Sequence, residues 1–215
     1  MSEEKVIKRS AEPQTIDSLK QGFCEAGIKE GMVLLVHSSL SSLGWVCGRE
    51  PAVIMALESL LGPEGTLVMP SHSGDLSDPR LWSLPPVPKS WWAPIKAAMP
   101  AFQPDLTPTR GMGNIAECFR KQKGVIRSCH PHYSFCAWGK HALEITRKHS
   151  LDFGLGQYSP LARIYDLEGY VLLIGVGHDS NTSLHLAEYR ANYPHKKIVK
   201  CWAPIMIGGQ RVEKS

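Results

Sequence analysis

The chain has 215 residues, enough to bury one sizeable core, and its 43% hydrophobic and 20% charged content is that of an ordinary globular protein, neither disordered nor fibrous. Twenty-four basic against twenty acidic residues leave a net charge of +4, which suits an anionic ligand; the basic residues are scattered, so no nucleic-acid partner is expected. No apolar run approaches the roughly 20 residues of a membrane helix, and the opening MSEEKVIKRS lacks the apolar stretch of an export signal. The expectation is therefore no membrane association and a cytoplasmic location. Six cysteines (Cys24, Cys47, Cys118, Cys129, Cys136, Cys201) form no C-x-x-C pair. Their irregular spacing argues for reduced thiols rather than a zinc ribbon, a redox motif or a secreted disulfide frame.

In chain order, Thr15 followed by Ile16, Leu19, Phe23 and Ala26 and closed by Gly27 predicts an amphipathic helix over 15–26. Met32 to Val36 is a continuous apolar run, the pattern of a strand covered on both faces, ending at His37-Ser38-Ser39. Pro51 opens a helix that runs through Leu60 and stops at Gly62-Pro63; Thr66 to Met69 predicts the next buried strand. This βαβ order points to parallel strands and a layered α/β/α architecture with a largely parallel central sheet, and ligands collect at strand C-terminal ends in such sheets. Residues 82–104 break the rhythm, with Trp82, Trp91 and Trp92 set among six prolines. They suit an ordered excursion that either walls a pocket or serves as a structural flap. Helices are predicted over 113–121, 140–148, after Ser159-Pro160, and over 182–191; strands are predicted over 133–138 and 170–175. Gly208-Gly209 then marks a hairpin between 198–207 and 210–212. No repeat, low-complexity tract or linker divides the chain, so residues 1–215 read as a single domain.

Two constellations carry chemistry. His37-Ser38-Ser39-Leu40-Ser41-Ser42 lies between a strand and a helix, where hydroxyls and free amides make an anion cradle or a plain turn. Neither G-x-x-x-x-G-K-[ST] nor G-x-G-x-x-G is present, so the nucleotide fingerprints are missing. Arg110-Gly111-Met112-Gly113 repeats the arrangement with a guanidinium able to pair a phosphate. Past the strand at 170–175, His185 and Glu188 are i and i+3 on a predicted helix, so a carboxylate can orient an imidazole for general-base work; the bland alternative is a surface pair. The histidines at 72, 130, 132, 178 and 185 include no H-E-x-x-H, so no metal site is expected, and without G-x-S-x-G a common serine hydrolase has little support.

Taken in order, these segments resemble the aminoglycoside 3-N-acetyltransferase family, in particular its bacterial members of unassigned substrate. The resemblance rests on Val36 to Gly44, Gly65 to Pro70, Thr109 to Gly113, Arg127 to Pro131, Ser134 to Gly139 and Thr182 to Tyr189. It implies the antibiotic N-acetyltransferase α/β fold, not the GNAT fold, and transfer of acetyl from acetyl-coenzyme A to a primary amine on an aminocyclitol. It also implies that His37, Ser38, Ser39, Leu40 and Ser41 meet the cofactor with Arg110, Ser134 and Phe135 nearby, that His185 and Glu188 occupy the catalytic helix, and that His130 supports. Resembled members continue beyond a hairpin like the one near Ser215, so a C-terminal segment is expected to be lacking.

An alkylamine is mostly protonated near neutral pH and must lose a proton before attacking a thioester, so a neutral imidazole has to reach it. His185 is the candidate base, Glu188 its partner, and the amides of the Ser38–Ser41 loop steady the oxyanion. A polycationic acceptor needs an acidic surface, for which Asp75, Asp78, Asp152, Asp179 and Glu188 are candidates. Small-molecule amines are the expected partners, with a homodimer compatible. The competing readings are a non-catalytic coenzyme A-binding relative and a metal-dependent hydrolase.

Overall fold

The computed structural model describes residues 2–215. The chain opens with α1 (Glu3–Arg9), a short helix whose only buried side chain is Val6, and α2 (Ile16–Glu25) follows. The α2 start is the predicted one: Thr15 accepts from the Ser18 amide while the Ser18 hydroxyl accepts from the Thr15 amide, a reciprocal cap. The first βαβ unit is β1 (Val33–Ser38), α3 (Arg49–Leu61) and β2 (Thr66–Pro70). After the Trp/Pro excursion with α4 (Trp92–Ala98) come α5 (Gly113–Arg120), β3 (Ile126–Arg127) and β4 (Phe135–Gly139). The rest is α6 (Ala142–Thr146), α7 (Pro160–Asp166), β5 (Tyr170–Ile174), α8 (Leu184–Arg190) and the hairpin β6 (Ala203–Ile207)–β7 (Gln210–Lys214).

The central sheet has the order β3-β4-β2-β1-β5. β1 is flanked by β2 and β5, both parallel to it, with Leu35 opposite Val68 and Val171. β4 departs from the βαβ expectation: it pairs antiparallel with β2, Met69 opposite Cys136, and antiparallel with β3. One reversed strand in five leaves the other four pointing the same way, so the expected largely parallel sheet is a mixed one. No local pattern announces the reversal, because Phe135, Cys136 and Ala137 are fully buried like a parallel strand.

Alternation along β1 sets the two cores. Leu34 and Val36 pack with Leu57 and Phe119 on the side of α2, α3 and α5, whereas Val33 and Leu35 pack with Ile145, Leu161 and Leu186 on the side of α6, α7 and α8. Truncating a side chain such as Leu57, which is wholly inaccessible, costs roughly 2–5 kcal/mol. A third, smaller cluster of Leu76, Met99, Phe102 and Trp202 ties the Trp/Pro excursion to the hairpin. There the Phe102 amide donates to the Pro204 carbonyl (3.1 Å) and Lys96 Nζ sits 4.6 Å from the Trp202 ring centre. The turn Gly208-Gly209 has φ +56° and +80°, the left-handed pair a tight hairpin requires. Among the described residues no helix is long and apolar enough to cross a membrane. All six cysteines are free thiols.

Candidate active site

The C-terminal ends of β1, β2 and β5 converge on a cleft of 930 Å³, at the edge where a parallel sheet collects ligands. The loop after β1 forms its floor. Of the predicted residues, His37, Ser38, Ser39, Leu40 and Ser41 line it, and Ser42 does not. Ser42 Oγ donates to the Ser39 carbonyl (2.6 Å), and the Ser39 amide is taken by the Ile174 carbonyl (2.9 Å). The amides left for a ligand are therefore those of Leu40 and Ser41, which open a 3-10 turn. Gly175 fixes this contact from the β5 side: at φ +61°, a Cβ there would lie 1.7 Å from Ser42 Oγ.

The opposite wall is the start of α8. Asn181 Oδ1 accepts from both the amide (3.1 Å) and the hydroxyl (2.6 Å) of Ser183, turning the chain into the helix. Thr182 Oγ1 lies 3.1 Å from His37 Nε2, tying the end of β1 to that turn. His185 and Glu188 then project into the cleft with Nδ1 and Oε2 2.7 Å apart. Among the described residues His185 Nε2 has no protein partner, so the pair presents an oriented ring with one nitrogen open to a ligand. His37, by contrast, is buried, and burial lowers its pKa to about 4, so it stays neutral near physiological pH.

The third side is built where β2 meets β4. Antiparallel pairing of Pro70 with Phe135 brings Ser71 and His72 beside Tyr133 and Ser134. Here the predicted positions need correction. Ser134 and Phe135 are wholly inaccessible and form no part of the cleft wall. Ser134 Oγ donates to the Ser71 carbonyl (2.7 Å) and accepts from Arg127 Nε (3.0 Å), while Phe135 packs in the core; Tyr133 is the neighbour that faces the cleft. The Arg110 side chain also turns away, pairing with Asp75 at a second, adjoining cavity, and leaves Gly111, Met112 and Gly113 to line the cleft.

The carboxylates separate in the same way. Asp179 and Glu188 line the cleft. Asp75 is engaged by Arg110, and Asp78 is held by Arg80 (2.6 Å) and Lys96 (3.4 Å), its pKa drawn down to about 2 by the Arg80 hydrogen bonds. Asp152 sits on an exposed turn between α6 and α7 and lines neither cavity. His130 is buried behind Tyr133, its Nδ1 accepting from the His132 and Tyr133 amides (3.1 and 3.0 Å). Among the described residues no group of three or more His, Cys, Asp or Glu is arranged to hold a metal ion.

Two contributors had no motif to announce them. Glu3 of α1 lines the cleft, accepting from Trp45 Nε1 (3.1 Å) and lying 3.9 Å from Arg49. His72 lines both cavities. The signal that finds His72 is its place just past the C-terminal end of a buried strand, Ser71-His72-Ser73 after Pro70.

A layered α/β sheet thus carries an imidazole–carboxylate pair opposite a serine-rich floor. The family model for aminoglycoside 3-N-acetyltransferases matches residues 35–215, and the chain belongs to that family. It is 51% identical over 211 residues to the SPbeta prophage-derived aminoglycoside N(3')-acetyltransferase-like protein YokD of Bacillus subtilis, covering 98% of this chain and 77% of that protein. The crystal structure of YokD superposes with a TM-score of 0.95 at 50% identity, covering 98% of this chain and 78% of that one. A binary complex of AAC-IIIb with CoASH does so at 0.82 and 30% identity, covering 94% of this chain and 75% of that one. For AAC-VIa bound to sisomicin the values are 0.84 and 30%, with the same coverage. The chain spans about three quarters of the length of these relatives.

Proposed function

We propose that this chain transfers the acetyl group of acetyl-coenzyme A to the 3-amino group of an aminoglycoside-type aminocyclitol, with His185 as general base. The observation that carries the reading is the 2.7 Å His185–Glu188 pair opening into the 930 Å³ cleft floored by Ser38–Ser41, in a chain of this family. Relatives in complex with CoASH and with sisomicin supply the two substrate classes. The size of the cleft and its exposed amides at Leu40 and Ser41 suit an extended thioester with a carbonyl to polarise. Asp179 and Glu188 give the same cleft an acidic rim suited to a polyamine.

The order of events follows from the side chains. Glu188 accepts from His185 Nδ1–H, which leaves Nε2 as the unprotonated nitrogen. Nε2 takes a proton from the acceptor's ammonium, freeing the lone pair that forms the new N–C bond at the acetyl carbonyl. The Leu40 and Ser41 amides face the oxygen on which negative charge gathers. The C–S bond then breaks and the thiolate leaves; the imidazolium gives the sulfur the proton it took from the ammonium, and the neutral Nε2 so restored takes the second proton from the attached nitrogen and passes it to solvent. Glu188 balances the charge His185 carries between those two transfers.

The test is thiol release from acetyl-coenzyme A with kanamycin B as acceptor. Release should require both substrates and fall about 10²–10⁴-fold in His185→Ala, with coenzyme A binding retained. Equal release in the variant would remove His185 from its role, and no release with any aminoglycoside would remove the reaction.

A further inference from the structure

The cleft meets a second cavity of 410 Å³ along a shared wall formed by His72, Met112 and Tyr133. His72 is fixed there from every side. The Ser71 amide donates to the Ser134 carbonyl (2.8 Å), the Ser73 amide donates to the His132 carbonyl (3.0 Å), and the His72 carbonyl accepts from the Arg110 amide (2.8 Å). Its ring stands edge-on to Tyr133 and Phe135, with centres 5.6 and 5.4 Å away. Among the described residues neither ring nitrogen has a hydrogen-bond partner, and Nε2 is shut off from solvent. Nδ1, which is not enclosed, is therefore the nitrogen that a ligand in the two cavities can meet, on a mount rigid enough to fix its direction.

The electrostatics of the second cavity say what meets it. Asp75 is paired with Arg110, and Asp78 with Arg80 and Lys96, so both nearby carboxylates are neutralised within the protein. His72 itself is held neutral by burial, its pKa lowered to about 3. An ammonium group gains little in such surroundings. A hydroxyl, which both donates and accepts, matches a neutral imidazole in either tautomer.

We infer that His72 is a specificity-determining residue: its imidazole, at the wall between the two cavities, hydrogen-bonds a neutral ring hydroxyl of the acceptor. The inference rests on the acetyl-transfer reading, which puts the acceptor's reacting amine at His185 in the same cleft. The acceptor then reaches from His185 past His72, reading an amine at one end and an uncharged hydroxyl further along.

Kanamycin B, its deoxy form tobramycin and its dideoxy form dibekacin share their amines and differ in ring hydroxyls, so they are the probes. Wild-type protein should bind kanamycin B about three- to tenfold more tightly than dibekacin by calorimetry, and kcat/KM should show the same ratio. His72→Phe keeps the ring shape between Tyr133 and Phe135 and should bring the ratio close to one; His72→Gln should restore part of it. An unchanged ratio in His72→Phe, or no preference in the wild type, overturns the assignment. Should His72→Phe fail to fold, the His72→Gln ratio decides: a preference at the wild-type level overturns the assignment and an intermediate one supports it. Preference in binding without thiol release from acetyl-coenzyme A supports His72 as a hydroxyl reader while removing the acetyl-transfer reading, so the two fail separately.

Discussion

The two walls of the cleft are built on opposite principles. The α8 wall is local and open: His185 and Glu188 are three residues apart, each about half exposed, and satisfied chiefly by one another. The β2–β4 wall is assembled from distant segments and closed. Arg127, buried and without a carboxylate partner among the described residues, donates to the carbonyls of Ser71, Pro104 and Thr107 and to Ser134 Oγ. The same wall carries His72, His130 and His149, with His149 bridging Ser128 Oγ (2.9 Å) and the Gly154 carbonyl (2.6 Å). A surface ion pair contributes up to about 1 kcal/mol to stability, whereas each buried polar group left unpaired costs about 1–3 kcal/mol. The Arg127 network of the closed wall therefore contributes more to holding the fold than the His185–Glu188 pair does, and that pair is free to do chemistry.

Acid should expose this difference most strongly. Burial lowers the pKa values of His72 and His130 to about 3 and of His149 to about 4, from 6.5 for an unfolded histidine. As pH falls through 6.5 the unfolded chain takes up protons that the folded chain refuses. Stability should decline from there down to the folded values, by up to about 1.4 kcal/mol per pH unit for each of the three. Denaturant midpoints measured from pH 7.5 to 4.5 should drop steeply, and a flat profile would mean that these imidazoles are charged or solvated. Next in size, Arg127→Leu strips hydrogen bonds from three carbonyls and should cost about 2–4 kcal/mol in unfolding free energy, with loosening of residues 104–107 visible by amide exchange. On the open wall, Glu188→Gln should shift stability by less than about 0.5 kcal/mol while lowering kcat roughly tenfold or more, measured side by side. A large stability loss there would erase the contrast.

How far each wall could be read from the sequence follows the same divide. The His-x-x-Glu spacing, the serine loop after a buried apolar run, the Thr15 cap and the Gly208-Gly209 turn are all local, and the structure forms the elements they predict. The reversal of β4 is not local, since Phe135–Gly139 carries the burial of a parallel strand and β3 is only two residues long. Without that register, the sequence places Ser134 and Phe135 beside the cofactor and gives His72 no distinguishing mark. For Asp75 and Asp78, expected on an acidic acceptor surface, the sequence shows only the local partner Arg80, two residues from Asp78; Lys96 lies 18 residues from Asp78 and Arg110 35 from Asp75, so both pairings arise only on folding. Glu3 lies in a helix with a single buried side chain, too weak a pattern to link it with Trp45 and Arg49.

The central claim is that the open nitrogen of His185 reaches the acceptor amine. A crystal structure of this chain with coenzyme A and kanamycin B measures it directly. The account predicts the ring's Nε2 within about 2.6–3.2 Å of the acceptor's 3-amino nitrogen, with Glu188 still on Nδ1. A ternary complex in which that amine contacts a different base, with His185 turned to solvent, would contradict it.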